Sequence, residues 1–257
     1  MKIVIPQNQK PVRSLMEQAG WTPIFEEIRS NIGIVTENGS PIIQLRSMDA
    51  LRTVASGKAD VGFVGSDCVA DKPSWAVKSL NAFSFGRAID AQKPRLEIVS
   101  SESSPIFSMK DVRQGSIFLS ERPTVTYRYL TDLGFPVEIE QDQNPNDFRV
   151  ELIRNGKVGI CIIQGTSPVQ LEPGNDLGVM VNETGRTVTG YNLKVIAKIC
   201  DIETILIVNP NSLQNKNTRE QILKFQRDLE SAYKQIEKEL SGMSKETTSF
   251  QNNRARL

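Results

Sequence analysis

Asp60-Val61-Gly62-Phe63-Val64-Gly65-Ser66-Asp67 is the stretch on which the fold turns. Val61 to Val64 is a short apolar run, which reads as a strand buried on both faces. Gly62 inside it points to close packing against another backbone. Gly65 opens a turn or a helix start at the carboxyl end of the strand. Just upstream, Met48 to Ser56 reads as a helix with Met48, Leu51, Val54 and Ala55 inward, stopped by Gly57. Before it, Ile42 to Leu45 reads as another strand. A strand, a helix and a strand in so few residues is the unit of an α/β protein.

The same alternation extends both ways. Lys2 to Ile5 is a first strand stopped by Pro6, and Pro11 to Gly20 a helix with Val12, Leu15, Met16 and Ala19 on one face. Downstream, strands are expected at Leu96–Val99, Ser116–Leu119, Val137–Glu140, Val158–Ile163, Gly178–Val181 and Ile205–Val208. Helices are expected at Val125–Leu133 and Phe148–Arg154, and Thr187 to Cys200 reads as mostly helix. Parallel sheets with helices on both faces follow, with ligands at the carboxyl ends of strands. Two α/β blocks, about 1–95 and 96–200, fit better than one large sheet, with a loop at Ser101–Pro105 near the change-over. From Thr218 to Leu240 the chain reads as one long helix with Phe225, Leu229, Ala232, Tyr233, Ile236 and Leu240 in a stripe. That stripe either packs on the first block or meets a partner helix in an oligomer. Residues 241–257 are polar and short of apolar side chains.

Composition narrows the chemistry. The 257 residues carry a net charge of +1, so nothing global draws nucleic acid or a membrane surface. The 39% hydrophobic and 24% charged content suits a globular protein. There is no histidine. A Ser-His-Asp triad, a Cys-His dyad and a His-ligated zinc site are excluded at once. Cys68, Cys161 and Cys200 are widely spaced; Cys161 and Cys200 sit in apolar runs, where buried inert thiols are expected over a redox or metal role, and an odd, sparse set suits a reducing compartment. The amino terminus, MKIVIPQNQKP, lacks the apolar core of a signal peptide. No apolar run approaches the ~20 residues of a membrane span. A cytoplasmic protein is expected.

Val179-Met180-Val181-Asn182-Glu183-Thr184-Gly185-Arg186-Thr187-Val188 carries the chemistry. A strand runs into small and hydroxylated residues and then into a helix start, which suits a phosphate cradle. Gly185 permits close backbone approach. Amides at the helix start favour an anion. Thr184 and Thr187 add hydroxyls, Arg186 adds charge, and Glu183 is placed to accept from sugar hydroxyls. A tight turn with a threonine N-cap remains an equal alternative. Asp67 and Asp49 each read either as a helix cap or as a ligand-facing carboxylate. Arg46 faces either an anion or a local carboxylate.

Taken in order, these clusters resemble the ATP phosphoribosyltransferases of histidine biosynthesis over residues 1 to about 210. The family's Pro-Lys-Gly-Arg-like first loop is similar to Pro6-Gln7-Asn8-Gln9-Lys10. Its Arg-Pro-x-Asp segment is similar to Arg46-Ser47-Met48-Asp49, and its Gly-x-x-Asp-x-Gly-x-x-Gly-x-Asp stretch to residues 57–67. A Leu-Gly-Phe-Gly-like turn is similar to Phe83-Ser84-Phe85-Gly86. A Tyr-Pro-x-x-Thr-x-x-Tyr helix start is similar to the stretch Arg122–Tyr129, and the Glu-Thr-Gly-x-Thr-Leu phosphoribosyl loop to Glu183–Val188, with Asn192-Leu193 behind it.

The resemblance implies two α/β lobes with a central cleft, like the type II periplasmic binding proteins, plus a C-terminal helix. It implies transfer of a phosphoribosyl group from phosphoribosyl pyrophosphate to N1 of ATP, with release of pyrophosphate and with Mg²⁺ carried by the substrate. Thr184, Gly185, Arg186 and Thr187 would hold the 5-phosphate, and Glu183 the ribose hydroxyls. Lys10 and Arg46 would meet pyrophosphate or ATP phosphates, with Asp67, Asp49 and Gly65 around them. No protein-only metal site is expected. About 40 residues follow Pro210, which resembles the family's short form, expected to be a homo-oligomer, alone or with a regulatory subunit. Three departures stand out: Lys10 is alone in a loop that is usually more basic, the acid expected four residues before Thr184 is Met180, and Gln164–Leu177 looks inserted. They leave open a non-catalytic binding or regulatory relative, or a transferase for another base.

Overall fold

The computed structural model describes residues 1–7, 9–25, 31–84, 93–140, 145–163, 171 and 176–254, with backbone only for 145–146 and 240–254. Asn8, the Phe85-Gly86 turn and most of the apparent insertion at 164–177 therefore lie outside the described residues. The chain divides into two compact units. One comprises Met1–Gly65, Ser74–Ala91 and Thr204–Leu257, and the other Ser66–Pro73 and Gln92–Glu203. The short segment after Gly65 thus belongs with the second unit, where a single boundary near residue 95 leaves it with the first.

The first unit contains strands β1 (Ile3–Pro6), β2 (Pro23–Phe25), β3 (Ile32–Val35), β4 (Pro41–Leu45), β5 (Val61–Gly65), β6 (Lys78–Phe83) and β13 (Thr204–Val208). They form one sheet in the order β2-β3-β4-β1-β5-β13-β6. The β1–β4 and β1–β5 pairs are parallel, as the alternation predicts. The sheet as a whole is mixed, which corrects the expectation of parallel sheets. β3 and β4 are joined by five residues turning at Asn38-Gly39, with Gly39 at φ 65°, too short a link for a parallel crossover. β13 returns antiparallel to both β5 and β6. Gly62 is needed where it stands, because a Cβ there would lie 3.0 Å from Val54 Cγ2 and 3.3 Å from the Val4 carbonyl oxygen.

Helices α1 (Lys10–Gln18), α2 (Ser47–Ala55) and α7 (Lys216–Arg254) complete this unit. α7 buries Ile222, Phe225, Leu229, Ala232 and Ile236 in the same core as Ile3, Leu15, Ile42 and Phe63. Of the two readings of its stripe, packing on the first block is the one observed. Phe225 meets Trp21 edge-on at 4.7 Å between centroids, and Trp21 Nε1 donates to Asp228 at 2.9 Å. The helix runs on past Leu240 to Arg254, where the polar composition predicts a tail. No proline interrupts that segment.

The second unit contains α3 (Ser66–Asp71), β7 (Arg95–Ser101), β8 (Ile117–Ser120), α4 (Pro123–Asp132), β9 (Val137–Glu140), α5 (Pro145–Asn155), β10 (Val158–Ile162), β11 (Asp176–Asn182), α6 (Arg186–Gly190) and β12 (Leu193–Asp201). Its sheet runs β12-β7-β11-β8-β10-β9. β8, β9, β10 and β11 pair in parallel, while β7 runs antiparallel to β11 and β12.

The helix expected over Thr187–Cys200 is one short turn followed by a nine-residue strand. Two register shifts, between Val195 and Ala197 and between Lys198 and Cys200, explain the misreading. Each shift slips the strand's alternation by one residue. Exposed positions consequently recur at Val195, Lys198 and Asp201, every third residue, which imitates helical spacing.

Candidate functional site

In the first unit, Pro6 of β1 lies in register with Leu45 of β4, and the Gln7 amide donates to the Leu45 carbonyl at 2.9 Å. The two chains therefore leave adjacent parallel strands at the same level. Lys10 begins α1 and Arg46 precedes α2, and both side chains are exposed. Gly65 ends β5 on the other side of β1. Lys10 and Arg46 thus follow the carboxyl ends of β1 and β4, and Gly65 is the carboxyl end of the adjacent β5, where open α/β sheets take their ligands. Arg46 holds the N-cap position of α2, without a side-chain cap bond. Asp49 is not the cap: it sits in the first helical turn and accepts from Arg52 Nη1 at 2.7 Å.

In the second unit, β11 ends at Asn182 and the loop follows. Gly185 occupies the N-cap position of α6 at φ 74°, in the left-handed region that favours glycine. The threonine cap is thereby overturned, because the cap position is Gly185's and carries no side-chain bond. Thr184, Arg186 and Thr187 are exposed, and Glu183 is half-buried. The Gly185 amide is taken by Asn182 Oδ1 at 3.0 Å. Among the described residues, the amides of Arg186, Thr187 and Val188 have no acceptor. Three amides, two hydroxyls and a guanidinium are therefore gathered around one turn.

Asp67 belongs to neither of its two expected roles. Its carboxylate is 3% exposed and accepts from Arg122 Nε at 2.6 Å. Arg122 Nη2 in turn lies 3.2 Å from Cys68 Sγ. Burial works against the Arg122 charge, and the adjacent Asp67 carboxylate outweighs it, holding the guanidinium more firmly protonated. Burial, reinforced by the Asp67 charge, pushes the Cys68 thiol well above its ordinary value, so it is inert. Beside this pair, Asp71 Oδ1 accepts from the amides of Thr124 and Val125 at 2.7 and 3.3 Å. Asp71 thereby caps α4 from a different helix, which Arg122 at the cap position does not do for itself.

Sequence reasoning missed Arg122 as a partner of Asp67, 55 residues away. It also missed Glu97. Met180 stands where an acid is expected, and Glu97 of β7 lies directly opposite it in the β7–β11 register. Glu97 is 3% exposed and accepts from Asn182 Nδ2 at 2.6 Å. An acidic residue in an otherwise apolar strand, Leu96-Glu97-Ile98-Val99, was the available signal. A cavity of about 510 Å³ lies elsewhere in the first unit, lined by Lys78, Leu80, Leu213, Arg219 and Gln226, and includes none of the expected site residues. Among the described residues, no cluster of three metal-ligating side chains occurs and no helix is long and apolar enough to cross a membrane.

Comparison with known proteins gives the family. The family model described as ATP phosphoribosyltransferase matches residues 46–231, which span Arg46, Asp67, Arg122 and the whole 183–188 loop. The ATP phosphoribosyltransferase of Methanocaldococcus jannaschii is 31% identical over 83% of this chain, and this chain spans 65% of that protein's length. That of Streptococcus thermophilus is 27% identical over 87% of this chain and 88% of its own. Among solved structures, the ATP phosphoribosyl transferase (HisG:HisZ) complex from Thermotoga maritima superposes with a TM-score of 0.62 at 21% identity, covering 91% of this chain and 98% of that one, which supports the fold. With motif order, strand-end placement and a match over most of its length in agreement, the chain belongs to the ATP phosphoribosyltransferase family.

Proposed function

We propose that this chain transfers the phosphoribosyl group of phosphoribosyl pyrophosphate to N1 of ATP and releases pyrophosphate, the first step of histidine biosynthesis, in the cytoplasm. The observation that carries the reading is the loop after β11. The amides of Arg186, Thr187 and Val188, which have no acceptor among the described residues, surround a left-handed Gly185, with Thr184, Arg186 and Thr187 exposed beside them. A phosphate monoester is the anion that such a turn suits.

In this reading the loop holds the ribose 5-phosphate and Glu183 accepts from ribose hydroxyls. Lys10 and Arg46 meet the pyrophosphate or the ATP phosphates at the strand ends of the first unit, with Asp49 and Gly65 beside them. N1 of ATP forms the new bond to the anomeric carbon, and the bond to pyrophosphate breaks with its electron pair. The anomeric carbon passes through a cationic state, so the protein supplies position and charge compensation, and no histidine is required. Mg²⁺ enters as part of the pyrophosphate substrate. Asp67 is held at the start of α3 by its buried ion pair with Arg122.

Incubation with ATP, phosphoribosyl pyrophosphate and Mg²⁺ is expected to release pyrophosphate. Changing Thr184 and Thr187 together to Val should slow this by about 100-fold or more, from two lost hydrogen bonds to a charged group. Undiminished turnover in that variant would sink the site. A second reading, a non-catalytic binding relative, is favoured by the single cation, Lys10, after β1 and by Met180 in β11. Calorimetric binding of phosphoribosyl pyrophosphate without pyrophosphate release would establish it. A panel of free bases and nucleotides with the same readout separates ATP from other acceptors. A homo-oligomer, alone or with a regulatory subunit, belongs to the same proposal and is tested by light scattering.

A further inference from the structure

We propose that Glu97 is a positioning residue for the phosphate loop, acting through Asn182 to fix the Gly185 amide. The inference rests on the reading of residues 183–187 as the phosphoribosyl site and deepens it. Asn182 faces Arg95, and Met180 faces Glu97, across the antiparallel β7–β11 pair. Directly opposed residues share a face, so Arg95, Glu97, Met180 and Asn182 stand on one side of the sheet. There the groups form a chain. Arg95 Nε lies 3.0 Å from Glu97 Oε1, Glu97 Oε2 accepts from Asn182 Nδ2 at 2.6 Å, and Asn182 Oδ1 accepts from the Gly185 amide at 3.0 Å.

The direction of this chain is forced by Glu97. An ionised carboxylate only accepts, so Asn182 must turn its NH₂ toward it and its oxygen toward Gly185. Without the carboxylate, only the Gly185 N–H is left to hold the Asn182 amide in that orientation, and its NH₂ loses its acceptor. Glycine gains its left-handed conformation without steric cost, but it also resists no other conformation. The loop's shape therefore depends on restraint from outside, and the Gly185 amide is the atom restrained. Glu97 and Asn182 are 3% and 6% exposed. Burying a carboxylate in a strand is costly, and an apolar residue at 97 would avoid that cost while leaving the Asn182 NH₂ without its acceptor and the side chain less firmly held.

The test uses the full chain and four variants: E97A, E97Q, N182D and the double variant E97Q/N182D. Gly185 amide hydrogen exchange is read by NMR without ligand. Dissociation constants for phosphoribosyl pyrophosphate and, as a control, ATP are read by calorimetry with Mg²⁺. E97A and N182D are expected to speed Gly185 exchange about tenfold and weaken phosphoribosyl pyrophosphate binding about tenfold, the scale of one charge-assisted hydrogen bond, with ATP binding unchanged. E97Q should be milder, since its amide oxygen can still accept. The double variant should restore both quantities, because the introduced glutamine donates to the introduced aspartate, whose other oxygen takes the Gly185 amide. Unchanged exchange in folded E97A, or a double variant no better than N182D, overturns the proposal. The exchange readout needs no ligand, so failure of the wild-type chain to bind phosphoribosyl pyrophosphate counts against the function and not against the relay.

Discussion

Arg122 and Asp67 form an ion pair with side chains only 9% and 3% exposed. Removing one partner strands the other charge away from water, which typically costs about 3–5 kcal/mol. Arg122→Met should therefore lower the unfolding free energy obtained from urea titration by that much, and Arg122→Met combined with Asp67→Leu should recover a large part of it. A double variant no more stable than the single one would show that the pair is not what holds this region. The cysteines make a separate prediction in alkali. Burial, with help from the Glu140 and Asp176 charges, raises the Cys161 thiol from 9.0 to about 11. Between those values the unfolded chain has released a proton that the folded chain still holds, so stability must fall as pH rises through that window. Denaturation midpoints measured from pH 8 to 11 should decline more steeply in the wild type than in Cys161→Ala. Of these residues, the sequence marks Asp67 and the cysteines but not their partners. Arg122 looks like the first residue of a helix motif, and only the folded chain brings it to Asp67.

Helix α6 and strand β12 are where local pattern and tertiary structure disagree. Asn192, at φ 50°, is a described non-glycine residue with positive φ, and it lies just past the Tyr191 C-cap of α6. Its left-handed backbone ends the helix and turns the chain into β12. Asn192→Gly should be neutral or slightly stabilising, whereas Asn192→Val should cost at least about 1–2 kcal/mol, the penalty of that conformation for an ordinary side chain. Thermal melts of the two variants check it, and equal melting temperatures would remove the conformational argument. Elsewhere the elements were legible: β1, β4, β5, β8 and β11 are plain apolar runs, and the α7 stripe repeats at three and four. The strands β2, β3 and β6 were not, because their burial is partial. Ile24, Ile32 and Ile34 are exposed, so no apolar run declares them. The phosphate loop was legible from its composition, but the restraint on it was not, since Glu97 and Asn182 lie 85 residues apart.

At the scale of the molecule, α7 is part of the first core and not an appendage. A chain ended before Lys216 loses Ile222, Phe225, Leu229, Ala232 and Ile236 from that core. Limited proteolysis of the shortened chain should cut residues 1–65 rapidly, and resistance equal to that of the full chain would mean that the first unit stands without the helix. The same interleaving has a consequence for how the protein is made. The fully buried β13, Thr204–Val208, pairs with β5 on one side and β6 on the other. A nascent chain on the ribosome therefore carries an open gap between those two edges until residues 204–208 are made, by which point everything in Ser66–Pro73 and Gln92–Glu203 has been translated. The unit holding the phosphate loop can settle first, and the unit begun first must close last, so its unpaired apolar strands are the ones a chaperone would need to shield.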